Sequence, residues 1–137
     1  MASILILDDD VAFGDLTRRR LERQGFSVQL HGGVHGAMNA LLRAKFDLVI
    51  LDVKMPGMTG PDVIKLIRGS NTGDVKVMFY SSSDALELRR LADQHGAQGY
   101  ITKMASTDEL EIRVREVLGE PRSRRGEAPG EPRSRRS

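Results

Sequence analysis

The sequence predicts an α/β fold, a parallel sheet of five strands with helices on both faces, and three observations lead to it. Short apolar runs alternate along the chain with segments of helical period. The runs are nearly unbroken aliphatic, as in ILIL and LVIL, which is the pattern of strands covered on both sides rather than on one. Charge marks the ends of three of them: Asp8, Asp9 and Asp10 follow the first, Asp52 the third and Lys103 the fifth.

Residues 4–7 form the first strand, and 27–30, 48–51, 75–80 and 99–102 supply the other four. Asp10 is placed to cap the first helix, whose N-terminus favours negative charge. Arg18, Arg19 and Arg20 make a basic patch on that helix, most simply a solvated face. In the second helix Val34, Ala37, Met38, Leu41 and Leu42 recur at i, i+3, i+4, i+7 and i+8, one apolar stripe. Gly57 and Gly60 serve a turn and a helix start, and Pro61 takes the first helical position. Leu88, Leu91 and Ala92 mark the fourth helix, for which Ser81, Ser82 or Ser83 can act as cap. Ser106 with Glu109 forms a capping box ahead of Leu110, Val114 and Val117. His31 and His35 have i, i+4 spacing, but Gly32 and Gly33 interrupt a helix between them, so both, with His95, read as ordinary loop or helix residues.

At 137 residues the chain has the length of one domain able to bury its own core. The absence of cysteine excludes disulfides, iron–sulfur clusters and thiolate zinc sites. No run reaches the length of a membrane span, and residues 4–7 lack the length and basic flank of a signal peptide, so a soluble cytoplasmic protein is expected. The net charge of +2 hides two unlike parts. Residues 119–137 hold six arginines against three glutamates, a charge of +3, which leaves residues 1–118 at −1. That tail repeats GEPRSRR at 119–125 and 130–136 and has nothing bulky to bury, so it is expected to be disordered. It is suited to charge-driven contact with nucleic acid, anionic lipid or an acidic protein, and equally to passive solubilisation, since it has no aromatic for base stacking.

In a sheet of order 2-1-3-4-5, strands one and three are neighbours, and ligands gather at the carboxyl ends where the order switches. Asp8, Asp9 and Asp52 should therefore meet in one cleft, an oxygen-only site suited to Mg²⁺. The fourth strand, VMFYSSS, brings the Ser81 hydroxyl beside it, and Lys103 adds a cation. Mg²⁺ and Lys103 can offset charge on a phosphoryl group while the Asp52 carboxylate acts as nucleophile.

Taken together, Asp8-Asp9, Asp52 in LDVKMPGMTG, Ser81 after an apolar strand and Lys103 in GYITK resemble the receiver domain of two-component response regulators, of the single-domain type. The resemblance covers residues 2–118 and implies the flavodoxin-like receiver fold. It makes Asp52 the phosphoacceptor, Asp8, Asp9, Asp52 and the Lys54 carbonyl the Mg²⁺ ligands, and Ser81, Ser82 and Lys103 the phosphate contacts. Ser81 and Tyr100 become the switch pair; from the residues alone, Tyr100 is as readily a half-buried ring packing on the sheet. The resemblance also implies a histidine kinase or phosphotransfer protein as donor. Output is expected through a protein partner on the face of the fourth helix, fifth strand and fifth helix, or through a phosphorelay, because residues 119–137 are too few for a DNA-binding domain. Such a domain catalyses only its own phosphotransfer and dephosphorylation.

Two departures carry expectations of their own. Met104 stands where the family often has proline, which disfavours a cis bond and predicts a different path for the lysine loop. Lys54 puts a cation at the mouth of the site, able to alter phosphate lifetime. Two competing functions remain: a receiver-shaped scaffold that works unphosphorylated, and a small aspartate-nucleophile phosphatase of the haloacid dehalogenase type, with Asp8 in Asp8-x-Asp10 as nucleophile. The second lacks a Thr or Val at Ala12 and a later acidic pair.

Overall fold

Ile4, Leu5, Ile6 and Leu7 point alternately to opposite faces of their strand, yet all four are buried. Both faces must therefore be covered, and the computed structural model, which describes residues 1–70 and 74–120, shows how. The elements run β1 (Ser3–Leu7), α1 (Val11–Arg23), β2 (Ser27–His31), α2 (Val34–Arg43), β3 (Leu48–Asp52), β4 (Lys54–Met55), β5 (Met58–Thr59), α3 (Gly60–Gly69), β6 (Lys76–Ser81), α4 (Ala85–His95), β7 (Gly99–Thr102) and α5 (Thr107–Leu118). The sheet is β2-β1-β3-β6-β7, parallel throughout, which is the expected order 2-1-3-4-5 counted over its five strands.

Leu5, Leu7, Val49, Leu51, Val77 and Phe79 face α2, α3 and α4 through Ala37, Leu41, Val63, Ile64, Ile67, Leu88 and Ala92. Ile4, Ile6, Leu48, Ile50, Met78 and Tyr80 face α1 and α5 through Leu21, Leu110 and Val114. At roughly 1.5–3 kcal/mol for each large side chain withdrawn from water, these two layers supply most of the force that holds the sheet between its helices.

The caps follow the sequence with local corrections. Asp10 accepts from Phe13 N–H at 3.1 Å and starts α1 as expected. The expected stripe on α2 narrows, because Leu42 lies outside it and is 63% exposed. Helix α3 begins at Gly60, so Pro61 is its second residue, and Thr59 caps it with Asp62 in a reciprocal box. None of the three serines caps α4; Asp84 does, accepting from Glu87 N–H at 2.9 Å. Ser106 accepts from Glu109 N–H at 3.1 Å at the start of α5. Arg18 and Arg19 are drawn onto Asp15 and Glu22 of their own helix, a self-paired face. His31 closes β2 as a strand residue and His35 lies on α2.

One element escaped the sequence pattern. Between Asp52 and α3 the chain makes a two-strand hairpin, Lys54 opposite Thr59 and Met55 opposite Met58, turned by Pro56 and by Gly57 at φ +81°. Gly60 permits the return, since a Cβ there would lie 3.0 Å from Val53 Cα. Gly119, at φ +74°, caps α5, and Glu120 pairs with Arg115 at 3.0 Å. Of residues 119–137, where disorder is expected, Gly119 and Glu120 take these places at the end of α5, and residues 121–137, with the second GEPRSRR, lie outside the described residues.

Candidate functional site

Because β1 and β3 are paired side by side, with Leu7 opposite Leu51, the residues that follow them emerge together at the carboxyl edge of the sheet. Asp8 is fully buried and Asp52 is 4% exposed, while Asp9 and Asp10 face solvent. Two buried like charges at one edge need compensation, and a cation comes from the third marked strand end. Lys103, just past β7, places Nζ 2.9 Å from Asp8 Oδ2 and 3.3 Å from Asp52 Oδ2. Backbone donors take the other oxygens: Asp10 N–H donates to Asp8 Oδ1 at 2.9 Å and Lys54 N–H to Asp52 Oδ1 at 3.0 Å.

The compensation is incomplete. Burial pushes the Asp52 carboxyl up to about 6; the Lys54 N–H and Lys103 oppose the rise, and the neighbouring Asp8 adds to it. Burial also works against the Lys103 ammonium, but Asp8 and Asp52 outweigh it and hold the lysine above its ordinary value. Asp8 Oδ2 is buried without a hydrogen bond, Lys103 lying near enough for charge attraction but out of alignment. One ligand atom from each of Asp8, Asp9 and Asp52 falls within 4.8 Å of the others. An orphaned buried oxygen inside an all-oxygen donor set fits a small hard dication such as Mg²⁺.

Ser81 ends β6 next to this edge and is 1% exposed. Its Oγ accepts from Ser83 N–H at 3.1 Å and contacts Ser83 Oγ at 3.3 Å, and its carbonyl accepts from Lys103 N–H at 2.8 Å. Ser82 is exposed beside it. Met104 does not disturb the lysine: no described peptide bond is cis, Met104 N–H and Ala105 N–H both donate to Thr102, and Nζ still reaches both carboxylates. Tyr100 lies on β7 away from the carboxylates, half-buried, with the Arg113 guanidinium 5.1 Å from its ring centre and donating to its carbonyl at 3.3 Å.

Three residues of the site were not singled out in the sequence. Phe13 and Tyr80 each present a ring centre 5.1 Å from Lys103 Nζ. Thr17 holds the Tyr80 hydroxyl at 2.5 Å. The signal was present in VMFYSSS: a tyrosine inside a strand covered on both faces must find a partner for its hydroxyl.

Comparison with known proteins agrees with this geometry. The model of the response regulator receiver domain matches residues 4–115. The chain is 33% identical over 118 residues to the sensory transduction protein RegX3 of Mycolicibacterium smegmatis, covering 86% of this chain and 51% of that one. It is 38% identical over 118 residues to the transcriptional regulatory protein YvrH of Bacillus subtilis, covering 85% and 49%. The chain thus spans about half the length of the curated relatives it matches. Among solved structures, a response regulator receiver protein from Burkholderia phymatum superposes with a TM-score of 0.77 at 28% identity, over 89% of this chain and 98% of that one. The CheY-like receiver domain protein of Methanospirillum hungatei gives 0.76 at 27%, over 87% and 94%. The chain belongs to the response regulator receiver family, the phosphoacceptor switches of two-component signalling. No helix among the described residues is long and apolar enough to cross a membrane.

Proposed function

We propose that Asp52 is the phosphoacceptor, with Mg²⁺ held by Asp8, Asp9, Asp52 and the Lys54 carbonyl, and that the domain acts as a cytoplasmic signalling switch. The observation that carries this reading is the buried pair Asp8 and Asp52 bridged by Lys103, with Asp8 Oδ2 held by charge alone and making no hydrogen bond. A carboxylate oxygen of Asp52 attacks the phosphorus of a phosphohistidine on a histidine kinase or phosphotransfer protein. The N–P bond breaks, its electron pair returns to the imidazole, and an acyl phosphate remains on Asp52. Mg²⁺, when bound, offsets charge on the phosphoryl oxygens. Lys103, Ser81 and Ser82 contact those oxygens, and that is the only chemistry the domain performs besides its own dephosphorylation. Lys54, exposed at the mouth, bears on how long the acyl phosphate lasts.

Ser81 leaves Ser83 for the phosphoryl group, and Tyr100 follows inward, reshaping the face of α4, β7 and α5 for a downstream protein or for relay of the phosphate. Residues 1–118 suffice for this switch, and the basic residues 119–137 add charge-driven contacts. The phosphatase alternative is disfavoured because Asp10, the second acid of its Asp8-x-Asp10 motif, is engaged as the α1 cap.

Incubation with acetyl phosphate and Mg²⁺ followed by intact-protein mass measurement tests the reading. One phosphate adduct, lost in Asp52→Asn and on chelation of Mg²⁺, is expected. An adduct surviving in Asp52→Asn displaces Asp52 as acceptor, and no adduct on either protein favours the unphosphorylated scaffold.

A further inference from the structure

Lys103 is enclosed on four sides, and only two of them are the carboxylates. The other two are the faces of Phe13, from α1, and Tyr80, from β6, each with its ring centre 5.1 Å from Nζ. The two rings lean on one another at 5.8 Å between centres and 52° between planes. Tyr80 is not free to turn away. Thr17 Oγ1 donates to the Phe13 carbonyl at 3.1 Å, so its contact with Tyr80 at 2.5 Å takes the proton from the phenol. Tyr80 and Thr17 are 2% and 1% exposed, and a small cavity of about 10 Å³ beside the cluster is lined by Phe13, Thr17, Tyr80, Lys103 and Leu110 among others. That is barely room for one water.

We propose that Phe13 and Tyr80 form an aromatic cage that positions the Lys103 ammonium for phosphoryl transfer, with Thr17 as the pin that fixes the Tyr80 ring. A lysine side chain is long and freely rotating, and two carboxylates alone let its ammonium follow whichever one moves. The negative faces of the two rings, that of Tyr80 pinned by Thr17, give it a seat that does not depend on Asp8 or Asp52. When a phosphoryl group arrives on Asp52, the ammonium turns towards it without leaving the rings. Tyr80 is well placed for this, since its carbonyl accepts from Val53 N–H at 3.0 Å and the next residue is Ser81. Phe13 and Tyr80 are thereby positioning residues, acting through Lys103 and not on the phosphate. The proposal rests on Asp52 being the phosphoacceptor.

The test is a double-mutant cycle on phosphorylation by acetyl phosphate with Mg²⁺, reading the saturating rate and the half-saturating donor concentration separately. Tyr80→Leu should lower the saturating rate about ten-fold, the size expected of one desolvated cation–ring contact, with little change in half-saturation. Tyr80→Phe, which keeps the ring, should restore most of that rate. On a Lys103→Ala background Tyr80→Leu should cost nothing further, because its partner is gone. Equal losses from Tyr80→Leu with and without Lys103 would overturn the cage. If Tyr80→Leu fails to fold, Phe13→Leu replaces it in the same cycle, with the same loss expected and the same equality overturning the proposal. Failure of Asp52 as acceptor is recognised separately, by an adduct that persists in Asp52→Asn.

Discussion

The two tyrosines of the chain sit on neighbouring strands and opposite faces of the sheet, and they are held in opposite ways. On the α1–α5 side Tyr80 is buried, its hydroxyl tied to Thr17 and its ring turned to Lys103. On the α2–α4 side Tyr100 is half-buried, faced by the Arg113 guanidinium, and beside a cavity of about 200 Å³ that Ala97, Gly99 and Val117 help to line. Helix α4, next to Tyr100, buries only Leu88 and Ala92 and leaves Leu86 66% exposed. A phosphorylation switch needs a cation that stays where the phosphate arrives and an aromatic that can change place. In the proposed switch one sheet gives these two tasks to its two faces: tight packing and a tied hydroxyl on one, a half-buried ring beside a cavity on the other.

Ring truncation breaks the contrast most forcefully. Tyr80→Ala should cost about 3–5 kcal/mol, a fully buried aromatic with no room to collapse around its loss. Tyr100→Ala should cost no more than about 1 kcal/mol, as at a partly exposed position. Urea denaturation of the metal-free proteins measures both, and equal costs would erase the distinction. Thr17→Val is the next step down. It leaves the Tyr80 hydroxyl buried without a partner, worth about 1–3 kcal/mol, and adding Tyr80→Phe should recover most of that because the stranded hydroxyl disappears.

How much of this was legible in the sequence follows from which groups act alone. The aliphatic runs fix the strands because a strand covered on both faces has one composition, and strand order then carries Asp8, Asp52 and Lys103 to one edge. The β4–β5 hairpin left no trace, since two-residue strands have no period to read. The cap of α4 was misread because four successive residues, Ser81 to Asp84, all have suitable side chains and only the start of the helix selects among them. Phe13, Thr17 and Tyr80 were passed over for another reason. Each is ordinary as a residue type, and the cage exists only through the packing of α1 on β6.

The carboxylates offer a smaller effect that depends on pH. In the metal-free protein the Asp52 pKa stands at about 6, above the ordinary 3.8, so the folded state holds a proton more tightly than the unfolded chain. Stability from this group is therefore present below about pH 4 and lost as pH rises towards and through 6. Asp52→Asn has no charge to bury and escapes the loss. Its denaturation midpoint should exceed that of the wild type at about pH 7, and the gap should close as pH falls to about 4. Saturating Mg²⁺ should narrow the gap at neutral pH by relieving the same repulsion. A gap that widens on acidification would mean that Lys103 already neutralises the pair.

The least perturbing change addresses the Tyr100 side directly. Arg113→Ala removes the cation over the Tyr100 ring and the donor to its carbonyl, a contact near the surface worth about 0.5–1 kcal/mol, so the fold should barely register it. A bias of that size still changes the ratio of two ring positions several-fold, because about 1.4 kcal/mol is a factor of ten. Labelling with 3-fluorotyrosine gives two fluorine resonances, since the chain has two tyrosines, and Tyr80→Phe assigns them. Phosphorylation of the wild type should move the Tyr100 line further than the Tyr80 line. In Arg113→Ala the Tyr100 line should already lie part-way along that path before any phosphate is added, while Tyr80 keeps its wild-type position. If both lines move together in either experiment, the ring beside the phosphate lysine is no more fixed than the ring on the outer face, and the division of labour between the two sides of the sheet does not hold.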